Sequence, residues 1–150
     1  MSSSPLVVRG WEIAGIRSAE KFFSALGEIL SLPLHLCFEG TRISPDVRKL
    51  FVSSAAASAL EIPPGTIWPN PSVFHVLATK QFIRELAELA GRHAEPEVCD
   101  HFHAYNDGHG LMQWYDAFDL PLLVDETITE ASLRPFCRKL GVQYVPWHAA

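Results

Sequence analysis

Apolar positions along this chain follow two rhythms. In the first they recur every three to four residues behind a hydroxyl side chain. Phe22, Phe23, Leu26, Ile29 and Leu30 follow Ser18, and Val47, Leu50 and Phe51 follow Ser44. Phe82, Ile83, Leu86, Leu89 and Ala90 follow Thr79, and Leu133, Phe136, Cys137 and Leu140 follow Thr129. Such spacing lays each set along one helical face, and each leading hydroxyl can accept a hydrogen bond from a free first-turn N–H. The pattern predicts four amphipathic helices. Pro45 and Asp46 suit the start of the second, while Gly91 and Gly141 end the third and fourth, the latter behind Arg138 and Lys139.

The second rhythm is shorter and marks strands: "LPLHLCF" (32–38), "VCDHFHAY" (98–105), "LMQWYDAF" (111–118) and "LPLLV" (120–124), with weaker signals in "VVRGWEIAGI" and "VQYVPW". The unbroken apolar runs in "LPLHLCF" and "LPLLV" suit strands covered on both faces or central in a sheet. Asn106-Asp107-Gly108 between two such runs is a hairpin signal, because Asp-Gly supplies the positive φ angles of a type I′ turn. "LPLHLCFEGTRIS" and "LPLLVDETIT" both run from strand through an acid to a capped helix, a unit whose chemistry recurs without duplication. The reading is one α/β (or α+β) domain over residues 1–150: a mixed β-sheet of about five to six strands, with a hairpin at 98–118, packed against about four helices.

"EIPPGTIWPNPSVFHV" (61–76) carries four prolines and a glycine, so neither helix nor central strand is expected there. It reads as an ordered surface loop that holds Trp68 and Phe74 against the body, and irregular segments of such length are often functional.

Composition narrows the partners. The chain of 150 residues is 48% hydrophobic and 19% charged, as for a globular domain with its own core. A net charge of −5, without a basic stripe, argues against nucleic acid. No run approaches the ~18 apolar residues of a membrane span, and "MSSSPLVVRG" lacks the features of a secretory signal. Cys37, Cys99 and Cys137 are widely spaced without a CxxC pair, so free thiols and a cytoplasmic location are expected.

Chemistry centres on "CDHFHAYNDGHG" (99–110). With Asp107 and Gly108 as the two central turn residues, His103 faces Met112, His101 faces Trp114 and Cys99 faces Asp116. Cys99, His101, His103, Met112, Trp114 and Asp116 then share one sheet face. His-x-His on a strand chelates zinc or iron well, and Cys99 or Asp116 could complete a site. A slip of one residue would exchange Asp116 for Tyr115 or Ala117. The competing reading is a half-buried face whose imidazoles stack and hydrogen-bond locally, and no cofactor is predicted. His109 is expected in solvent, His35 as a satisfied core histidine, and His75 beside the proline-rich loop.

Glu39, Asp125 and Glu126 follow the two apolar strands. Were those strands parallel neighbours, the acids would share the edge where open α/β sheets bind ligands. Trp11, Trp68, Trp114 and Trp147 are many for the length; they serve either as interface anchors or as closures of a small core. No phosphate loop, dinucleotide fingerprint or nucleophile elbow occurs. The leading expectation is therefore a non-enzymatic module that binds another protein or itself. Behind it stand a metal-binding protein or small metal-dependent enzyme using the His101/His103 face, and a small-ligand binder near Glu39, Asp125 and Trp68 under the proline-rich loop.

Overall fold

A computed structural model describes residues 7–58 and 60–148. The four helices stand where the apolar spacing predicts: α1 (Ala19–Ile29), α2 (Pro45–Ser53), α3 (Lys80–Ala90) and α4 (Glu130–Leu140). Ser18, Thr79 and Thr129 accept from the backbone N–H of Lys21, Phe82 and Ser132 respectively. Ser44 differs. Its hydroxyl donates to Asp46, and it is the Asp46 carboxylate that accepts the Val47 N–H. Gly141 ends α4 in the left-handed conformation at φ 69°.

Seven strands form one sheet among the described residues: β1 (Arg9–Ile13), β2 (Leu34–Gly40), β3 (Ser72–Ala78), β4 (His101–Asn106), β5 (His109–Trp114), β6 (Leu122–Asp125) and β7 (Tyr144–His148). Their order is β3-β2-β4-β5-β6-β1-β7, and every pairing is antiparallel. This corrects the expected mixed sheet of five to six strands. The apolar run in β2 reflects cover on both faces, which a parallel sheet would also require, so the run could not tell the two arrangements apart. The unexpected strand is β3, which begins inside the segment read as loop (61–76) and runs on to Ala78. The prolines stop at Pro71, just ahead of it, and β3 lies at the sheet edge, where proline-rich flanks are tolerated. Its outer side is partly covered by the chain leaving α2, through Ala56 N–H to His75 O and Leu77 N–H to Ser54 O.

One sheet face carries the apolar core. Phe22 and Phe23 of α1 meet Phe102 of β4, Phe22 meets Trp114 of β5, and Phe23 meets Phe38 of β2. Phe51 of α2 stacks on Phe38 at 4.2 Å, and Phe136 of α4 meets Phe22. Alternation along the strands sends Cys37, Glu39, His101, His103 and Tyr105 to the other face. All five are buried there.

Candidate functional site

The turn at Asp107 (φ 49°) and Gly108 (φ 73°) forms as expected, and Asn106 pairs with His109. Beyond it the register departs. Tyr105 pairs with Gly110 but Ala104 pairs with Met112, so Leu111 is an extra residue in β5, a bulge. His103 therefore faces Gln113 rather than Met112, and Phe102 takes Trp114. Met112 and Trp114 turn to the helices, and Tyr115 becomes the ring against both His101 and His103. The expected face of six residues is thereby divided. Burial decides the outcome, since Trp114 (1% exposed) and Met112 (0%) fill the apolar core only in this register.

The histidine face is a set of rungs across four strands. One rung runs His75, Cys37, His103, Gln113, and the next runs Val73, Glu39, His101. His75 Nδ1 lies 2.9 Å from the Tyr105 hydroxyl, and its Nε2 lies 3.9 Å from Cys37 Sγ. His35, expected to be satisfied, stacks on Tyr105 at 5.2 Å, and its buried Nδ1 has no hydrogen-bond partner among the described residues. Its neighbours across the sheet, Leu77 and Tyr105, offer it a side chain and a π face in place of an acceptor. His103 Nδ1 likewise has no hydrogen-bond partner among the described residues, and burial first, then the neighbouring imidazoles of His101 and His75, hold His103 down at about 3, so its ring is neutral. Burial, then Glu39, pushes the Cys37 thiol up to about 12. Burial also raises Cys99, with Asp100 and Cys37 adding to it, and raises Cys137 to about 11. All three thiols are free and protonated near neutrality.

Glu39, 4% exposed, anchors the proline-rich loop. Its carboxylate accepts from the Gly65 N–H at 3.0 Å and the Thr66 N–H at 2.8 Å. The Thr66 hydroxyl lies 2.7 Å from His101 Nε2, and the Tyr115 hydroxyl donates to Pro63 O at 2.8 Å. His101 Nδ1 accepts the Asp116 N–H at 2.9 Å, which leaves the ring proton on Nε2, pointed at Thr66. In that state the imidazole donates to Thr66 and cannot take its proton, so the pair is not an activated nucleophile. Both ring nitrogens of His101 are engaged, Asp116 stands 4.0 Å from Nδ1 with an exposed side chain, and Cys99 belongs to the core. Among the described residues no three His, Cys, Asp or Glu side chains are grouped to hold a metal ion.

Asp125 lies at the opposite end of the sheet from Glu39. β2 and β6 are separated by β4 and β5 and run in opposite senses, which corrects the shared edge expected from parallel neighbours. The Asp125 carboxylate is used locally, accepting from Thr127 N–H and Oγ1 and lying 3.0 Å from His109 Nε2. Trp68 is corrected too. It is 85% exposed, as is Ile67, and does not pack on the body, whereas Phe74 does, at 5.5 Å from Phe51.

Beside the loop anchor, a cleft of about 360 Å³ opens at the end of the sheet where β2 leaves and β4 begins. His101 and Cys99 line it, with Thr66 on one wall and the turn after β5 on another. That turn holds Asp116 at φ 51° and Phe118 at φ 73°, a conformation that non-glycine residues avoid. It is secured by Ala117 N–H to Asp100 O and by the Trp114 indole to Leu120 O. Nothing in the strand pattern signalled Thr66, Arg17, Arg42 or Asp119, which meet only through the fold. The architecture is thus a helix layer over an antiparallel sheet, with a pinned loop and a polar cleft at one end. Compared with known proteins, the chain matches no family model, no curated protein and no solved structure.

Proposed function

We propose that this protein is a non-enzymatic binding module that engages a protein partner through the tip of the proline-rich loop, with Trp68 as the anchor. One observation carries this reading: Ile67 and Trp68 are each 85% exposed, directly after residues whose backbone is held by a buried carboxylate. A large apolar side chain left in water on a tethered loop loses little conformational freedom when a partner covers it, and tryptophan is enriched among residues that dominate binding energy. The complementary surface is an apolar pocket wide enough for an indole. The net charge of −5 opposes a second copy of this chain as the occupant.

The test compares wild type with the Ile67→Ser, Trp68→Ser double variant. A partner retained from extract by wild type is purified and its affinity measured for both. Loss of at least about thirtyfold in the double variant is expected, matching the ≥2 kcal/mol of an interface hot spot. Equal affinity would overturn the assignment. Sedimentation of the protein alone should show a monomer; a dimer dissolved by the double substitution would transfer the tip to self-association and overturn the heterologous reading.

A further inference from the structure

The cleft beside His101 is lined by charges of both signs that do not pair with one another. Arg17 and Arg42 contribute guanidinium groups, and Glu95, Asp116 and Asp119 contribute carboxylates. Among the described residues neither arginine makes an ion pair or a side-chain hydrogen bond, and neither do the carboxylates of Glu95 and Asp119. Asp116 approaches only His101 Nδ1, which is occupied as an acceptor. Asp100, also in the wall, is already committed, its Oδ2 accepting from the Thr41 N–H and hydroxyl.

Strand order sets the spacing of these charges. Arg42 follows β2, and Asp116 and Asp119 follow β5, at the same end of the sheet with β4 between them. Two strand spacings, about 10 Å, separate the ends of β2 and β5 from which these residues leave the sheet. Side chains reaching in from both sides leave a gap between unlike charges that a short molecule with an anionic and a cationic end would span. Phe118, part of the same wall, adds an apolar surface. The volume lies at the small end of the range for ligand pockets, and the Asp116 to Asp119 wall is held rigidly, since Asp119 N–H and Leu120 N–H both bond to Asp116 O.

We infer that this cleft is a binding site for a dipeptide-sized zwitterion, its carboxylate taken by Arg42 and its ammonium by Asp119 with Asp116. Guanidinium binds carboxylate in a planar, two-point fashion that lysine would not reproduce, and the opposed acids reject a ligand carrying the anionic group alone. The site is separate from the exposed Trp68 tip and stands whether or not the tip binds a partner.

The experiment is a ¹H–¹⁵N NMR titration of the full chain with alanyl-leucine, set against its N-acetylated and doubly capped (N-acetyl, C-amide) forms. Alanyl-leucine should give saturable shifts at 41–43, 95–101 and 115–119, and the two capped forms should bind at least about tenfold more weakly. Arg42→Gln and Asp119→Asn, both at exposed positions, should each weaken alanyl-leucine by about tenfold while leaving the remaining spectrum unchanged. Absence of saturable shifts at the cleft, or equal binding of the doubly capped form, would overturn the site. Equal binding of the N-acetyl form would overturn its zwitterion selectivity.

Discussion

Gly65 stands where a side chain has no room, because a Cβ placed there would lie 2.6 Å from the ring of His101. That ring is 2% exposed and held at both nitrogens, so it cannot swing aside. Gly65→Ala should therefore cost on the order of 1–3 kcal/mol, the usual range for overpacking, and should loosen the loop from Glu39. Urea unfolding and amide exchange at Thr66 measure the two effects. A second residue-scale expectation concerns His103. Its neutral ring is pushed down from the ordinary 6.5 to about 3, by burial first. The unfolded chain then binds the proton more readily than the folded one, so stability is full above pH 6.5 and falls as the pH drops toward 3. Each such histidine contributes a slope of about 1.4 kcal/mol per pH unit. His75, also lowered by burial and then by His35, acts in the same sense. His103→Gln should flatten the acid limb of a denaturation series against pH; an unchanged slope would show that other groups carry it. Neither expectation was legible in the chain. The histidines could be recognised as a cluster, but whether each nitrogen found a partner depended on residues far away in sequence.

Helices and turns were far more readable, since their determinants lie within a few residues. Three of the four leading hydroxyls cap as their position implies. Thr79→Ala should cost about 1 kcal/mol, measured as a shift of the unfolding midpoint. At Ser44 the capping acceptor is Asp46, so the N-terminal turn of α2 keeps an acceptor for the Val47 N–H when Ser44 is changed. The hairpin illustrates where local reading stops. Asp-Gly specifies the turn, and it formed; Leu111 then interrupts the ladder, and every pairing toward β6 moves by one. No turn rule encodes that bulge. It follows from the gain in placing Trp114 against Phe22 of α1 and in burying Met112 in the same core, contacts made across the molecule. The edge strand β3 was hidden for a related reason, because the prolines before it mask a β-prone run that acquires its partner only when β2 lies alongside.

Taken as a whole, the molecule divides its sheet into an aromatic face under the helices and a polar buried face bearing the histidines. The loop crosses one end of the latter and projects its two exposed apolar residues outward. Because Ile67 and Trp68 contact little of the body, replacing both with serine should leave stability within about 0.5 kcal/mol, the usual range for surface sites. A thermal melt checks this, and a large loss would mean the tip serves folding rather than recognition. The sequence alone determined the four helices, the capped starts of three of them and the Asp107-Gly108 turn, because periodicity, capping and positive φ act over neighbouring residues. Tertiary structure decided the strand order, the bulge, the distance between Glu39 and Asp125, and the meeting of Thr66 with His101. Those depend on which surfaces bury one another, a competition settled by long-range packing and expressed by no short segment of the chain.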